Sequence, residues 1–158
     1  MKVDIMSREA LEKLACSPFP ERTAVISISD YDDIPVMLKH EPSALLRLAF
    51  DDVYTDCISD IPWSEMPQIE KSILEKKYHM ISDRQAREIA DFVVAQLPRA
   101  DRLICQCEFG QSRSAAISAA ILEYTEKKGL SIFADDLYSP NKLVFRKVYG
   151  SLLKTLSE

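Results

Sequence analysis

Between Leu103 and Ala120 the chain reads LICQCEFGQSRSAAISAA, and here residue types and spacing together could do chemistry. A short apolar run ends at Cys107. After five intervening residues comes Arg113, then Ser114 and a run of small helix formers, so the stretch reads as strand, tight loop and helix N-terminus. In such a loop the backbone N–H groups of Glu108, Phe109, Gly110, Gln111, Ser112 and Arg113 can converge on one point, where the helix dipole adds positive potential. Gly110 permits the backbone angles this cradle needs. Arg113 adds a planar fork matching two phosphate oxygens, which a lysine point charge cannot supply. Cys107 then lies at the bottom of the cradle, where the same donors favour ionised sulfur, the nucleophilic form of cysteine. An anionic sulfur in a loop built for phosphate implies attack on phosphorus.

The segment C-E-F-G-Q-S-R-S at 107–114 resembles the Cys-x5-Arg-Ser/Thr signature of cysteine-dependent protein tyrosine and dual-specificity phosphatases, nearest to small bacterial dual-specificity-like members. The resemblance implies an α/β fold with a central, mostly parallel sheet flanked by helices, the phosphate loop lying between a central strand and a helix. It also implies hydrolysis of phosphate monoesters through a phosphocysteine, with no metal and no other cofactor. Residues 108–113 would bind the substrate phosphate, and Ser114 would hydrogen-bond the departing thiolate. Two departures stand out. Gln106 takes the place of the usual His before the nucleophile, removing an imidazole, and Cys105 lies two residues before Cys107. Cys105 or Cys57 is therefore a candidate partner for a reversible disulfide that protects Cys107.

Displacing an alcohol or phenol from phosphorus leaves a poor leaving group unless a carboxylic acid donates a proton, a contribution of roughly 10²–10⁴-fold. The strand candidate Leu45–Phe50 runs straight into Asp51-Asp52, and ligands of open α/β sheets bind at the carboxyl ends of strands. By likeness to the family's FxD pattern, Asp52 is the expected acid and Asp51 its substitute, with Asp56 and Asp60 close behind.

A chain of 158 residues suits one domain, residues 1–158, burying about two-thirds of its unfolded surface. The formal charge of −5 argues against a nucleic-acid partner and leaves local positive charge at the pocket to attract a phosphorylated protein or small phosphomonoester. No run is long enough to span a membrane and no leader is visible, so a cytoplasmic location with four reduced cysteines is expected.

The remaining elements position the loop. Met1–Met6 reads as a strand, Ser7 as the cap of a helix to about Cys16 with Ala10, Leu11, Leu14 and Ala15 inward, and Thr23–Ser29 as a buried strand. The acidic turn Asp30–Asp33 reads as solvated capping. Residues 53–80 form an apparent insertion or lid containing a helix at Gln68–Lys77 and the single Trp63, a possible pocket residue. Ser82 opens a helix with Ala86, Ile89, Ala90, Val93, Val94 and Leu97 as its apolar stripe. Arg102–Gln106 presents Cys107, and the following helix should end at Gly129. Ser139-Pro140 should cap the last helix, whose Pro140-Asn141 pair again resembles the phosphatases. Two other classes share parts of this pattern: phosphate-binding pseudophosphatases, and the sulfur transferases and arsenate reductases with their cysteine anion loops.

Overall fold

A computed structural model describes residues 1–157. Strands β1 (Lys2–Met6), β2 (Thr23–Ser29), β3 (Ala44–Ala49) and β4 (Arg102–Gln106) form a single sheet in the order β1-β4-β2-β3, parallel at every pairing. Helices α1 (Arg8–Leu14), α2 (Gln68–Lys77) and α3 (Asp83–Gln96) lie in the connections between strands that parallel pairing requires. After the last strand follow α4 (Arg113–Glu126), the short α5 (Leu130–Phe133) and α6 (Lys142–Thr155). No helix among the described residues is long and apolar enough to cross a membrane.

The central strands are apolar on both faces because both faces are covered. Alternation divides them: Ala24, Ile26, Ile28, Leu103 and Cys105 join the larger core with α3, α4 and α6, whereas Val25 and Ile104 meet Leu11 and Val36 on the other side. Cys107 keeps the parity of Leu103 and Cys105, so the nucleophile candidate emerges at the strand end on the larger-core side.

Local sequence sets most boundaries. Ser7 Oγ accepts the Ala10 N–H at 3.1 Å to start α1. Ser82 and Gln85 form a reciprocal capping box at α3, with side-chain bonds of 3.1 and 3.0 Å. Elsewhere the structure differs from the sequence reading. The cap of α6 is Asn141, whose Oδ1 accepts from the N–H groups of Leu143 and Val144, and not Ser139. Lys127, at φ +57°, makes the left-handed turn that ends α4, while Gly129 has φ −60°. Gly129 instead serves close approach, since a Cβ there would lie 2.4 Å from the Ala119 carbonyl oxygen. Ala10 and Val94 are exposed rather than inward, and Trp63 and Met66 of the 53–80 region are buried in the larger core.

Candidate active site

Three parallel strands end at the same edge of the sheet, and each delivers a polar segment there. The segment after β4 is the 107–113 loop. Cys107 is 2% exposed; its Sγ lies 3.0 Å from Ser114 Oγ and accepts the Ser114 backbone N–H at 3.4 Å. The N–H groups of Glu108 to Arg113 donate to no backbone or side-chain acceptor among the described residues, leaving six consecutive amide donors for a ligand. Gly110 takes φ +67°, and a Cβ there would come within 2.7 Å of Ser7 N, so both its conformation and its contact with the β1–α1 junction demand glycine. The same junction holds the loop from outside: the Arg8 N–H donates to the Glu108 carbonyl at 3.1 Å and Arg8 Nε pairs with the Glu108 carboxylate at 2.9 Å. Burial opposes the Arg8 charge, but the bond to Glu108 and the attraction of Glu108, Asp33 and Glu12 outweigh it and raise the pKa. The Glu108 side chain is thus turned to Arg8, leaving its backbone N–H to serve the loop.

Arg113 begins α4 and is 4% exposed. Its Nη1 donates to the Phe50 carbonyl at 2.6 Å and to Asp30 Oδ1 at 2.7 Å, while its buried Nε has no partner. Phe50 and Asp30 follow β3 and β2 directly. The acidic turn read as solvated capping is therefore tied to the arginine, because the strand register places Asp30 beside the loop.

The segment after β3 carries the acid candidates. Asp52 Oδ1 accepts from Ser112 Oγ at 2.8 Å and from Asn141 Nδ2 at 2.9 Å, and Asn141 Nδ2 also reaches the Val53 carbonyl at 3.0 Å. With the Ser112 hydroxyl given to Asp52, the Tyr54 hydroxyl 2.8 Å away is its donor. Both donors to Asp52 meet Oδ1 rather than Oδ2. Asp52, Tyr54, Phe109, Gln111 and Ser139 line, with Cys107 and Arg113, a cavity of about 250 Å³. Asp51 turns away to accept the Tyr31 N–H at 2.8 Å. Asp56 and Asp60 are exposed and line no part of this cavity, nor does Trp63.

Gln106 is buried; its Oε1 accepts from Ser27 Oγ and its Nε2 donates to the Cys107 carbonyl at 2.9 Å. It steadies the loop backbone and leaves the sulfur alone. All four cysteines are free thiols. Cys105 is buried, which pushes its thiol up to about 12, and Cys57 is exposed. Sequence reasoning missed Asp30 and Tyr54. Asn141 was visible only through a resemblance, and nothing in the sequence pairs it with Asp52, 89 positions away.

No protein-family model and no curated protein matches this sequence. Solved structures do match in backbone. Human DUSP28 superposes with a TM-score of 0.52 at 15% identity, covering 98% of this chain and 94% of that one. The human tyrosine phosphatase-like serine/threonine/tyrosine-interacting protein gives 0.53 at 17%, covering 85% and 78%. A mouse putative dual specificity phosphatase complexed with zinc tungstate gives 0.52 at 14%, covering 98% and 84%. The all-parallel sheet, the loop it carries and these superpositions agree: the chain has the fold of the dual-specificity phosphatases.

Proposed function

We propose that the protein hydrolyses phosphate monoesters of the phosphotyrosine or dual-specificity type through a phosphocysteine. The observation that carries this is the setting of Cys107. A buried sulfur accepts a helix N-terminal N–H and faces a serine hydroxyl, at the base of a loop with six unfilled amide donors and a buried guanidinium. Arg113 Nε and the amides hold the phosphate. The Cys107 thiolate attacks phosphorus, the ester P–O bond breaks, and Asp52 donates the proton from Oδ2 to the leaving oxygen. Asp52, now a carboxylate, takes a proton from water as the water oxygen attacks phosphorus. The S–P bond breaks, Ser114 Oγ donates to the departing thiolate, and inorganic phosphate is released.

Hydrolysis of an aryl phosphate with a chelator present tests this. Chelator-resistant turnover, lost by at least about 10⁴-fold in Cys107→Ser, is the expected result; turnover that survives the substitution refutes it. A second reading, a phosphate-binding module without turnover, is favoured by Gln106, whose polar groups are both engaged away from the sulfur. One of the fold neighbours bears a phosphatase-like, interacting-protein name. Vanadate binding without any hydrolysis would select this reading.

A further inference from the structure

We infer that Tyr31 and His79 are positioning residues for the protonation step, their stacked rings latching the segment that presents Asp52 to the Cys107 cradle; this rests on the proposed phosphomonoester reading. The two rings lie nearly parallel, with an interplanar angle of 4° and centroids 3.7 Å apart. Both residues also hold Asp51 through their backbones. The Tyr31 N–H donates to Asp51 Oδ1 at 2.8 Å, and the Asp51 N–H donates to the His79 carbonyl at 2.8 Å. Two hydrogen bonds and one aromatic contact thus close a ring around Asp51, one residue before the acid candidate.

The two partners come from different elements. Tyr31 follows Asp30 beyond β2, whereas His79 follows α2 and directly precedes Met80 and Ile81, both buried in the larger core. His79 adopts φ +52°, a left-handed conformation that is costly for a residue with a side chain and persists where the surroundings over-determine it. Tyr31 is 53% exposed, so its ring does little for the core. Neither its hydroxyl nor the His79 ring nitrogens bond to a protein group among the described residues, which leaves ring contact as what these side chains supply. On either side the segment has other holds: Phe50 N–H donates to the Ser29 carbonyl at 3.0 Å, and Asn141 reaches the Val53 carbonyl and the Asp52 carboxylate. The stack fixes the residue between them, and with it the backbone that aims Asp52.

The test compares phenyl phosphate, whose leaving oxygen needs a proton, with 2,4-dinitrophenyl phosphate, whose phenolate departs without one. Tyr31→Ala keeps the backbone bond to Asp51 and removes only the ring. It is expected to lower kcat/KM about tenfold on phenyl phosphate and less than about twofold on the dinitrophenyl ester. His79→Asn, which tolerates the left-handed backbone but has no ring, should do the same. The double variant should lose no more than either single one, because all three remove one contact. Tyr31→Phe keeps the ring and should hold the wild-type rate on phenyl phosphate, with circular dichroism checking that each variant is folded. A loss shared equally by both esters, as from a displaced Asp30 or a loosened fold, overturns the inference. So do unchanged rates, or losses that multiply in the double variant. Wild-type protein that hydrolyses neither ester overturns the phosphatase reading and this inference with it, whereas hydrolysis of both with no split between them in the variants overturns the inference alone.

Discussion

The cradle and the carboxylate side of the site are built in opposite ways. The cradle, residues 107–114, is one continuous piece of chain whose donors are backbone N–H groups and one guanidinium, and its shape follows from a strand, a glycine at φ +67° and a helix start. The carboxylate side joins Asp30, Asp52, Tyr54 and Asn141 from after β2, after β3 and before α6. The difference teaches where fragility lies. A cradle of amides survives most side-chain changes, whereas the carboxylate side depends on each partner being delivered by a separate element.

Substitutions can break this comparison in order of size. Arg113→Lys should cost about 10³-fold in kcat/KM, since an ammonium cannot hold Phe50 and Asp30 through one nitrogen and a phosphate through another; a loss below tenfold would mean the amides suffice. Asp52→Asn should lower kcat by about 10²–10³-fold and flatten the limb of the pH profile that reports the acid, while Asp51→Asn changes kcat less than about threefold. Equal effects would return the acid role to the pair.

Asn141 sharpens the comparison because it serves both structure and site. Asn141→Ala should lower stability by about 1 kcal/mol through the lost cap of α6 and lower kcat about tenfold through the freed Asp52. Asn141→Ser keeps a capping oxygen but loses the amide donor, so denaturant midpoints should recover while kcat does not. Recovery of both would make Asn141 a cap alone.

The smallest effect contrasts the two neighbouring cysteines. Cys105, raised from its ordinary 9.0 to about 12, holds its proton in the folded chain over a range where the unfolded chain loses it. The folded state then binds more protons, so stability falls as pH rises from about 9 to 12, at up to about 1.4 kcal/mol per pH unit. Removing this thiol in Cys105→Ala should make the denaturant midpoint less steep across that window. An unchanged slope would place the alkaline loss in other groups.

The four strands and helices α1, α3, α4 and α6 were legible with boundaries within a few residues, and α2 only as a possible helix in an otherwise illegible stretch, because apolar runs, apolar period and capping chemistry are local signals and α2 has neither a side-chain cap nor a buried residue. The errors have local causes too. Gly129 carries the usual sign of a helix end, yet its place is fixed by the Ala119 backbone packed against it, and Lys127 absorbs the turn. Asp30 looked like any acidic turn residue, because its partner lies 83 positions away on another strand end.

By itself the sequence determined the candidate phosphate loop, since Cys107, Gly110, Arg113 and Ser114 lie within one short stretch of chain between a strand and a helix. Only the tertiary structure decided which aspartate faces that loop, that Asn141 and Ser112 hold it, and that further carboxylates crowd the mouth. Parallel strand order brings three carboxyl ends to one edge, and that order is a property of the assembled sheet, not of any one segment.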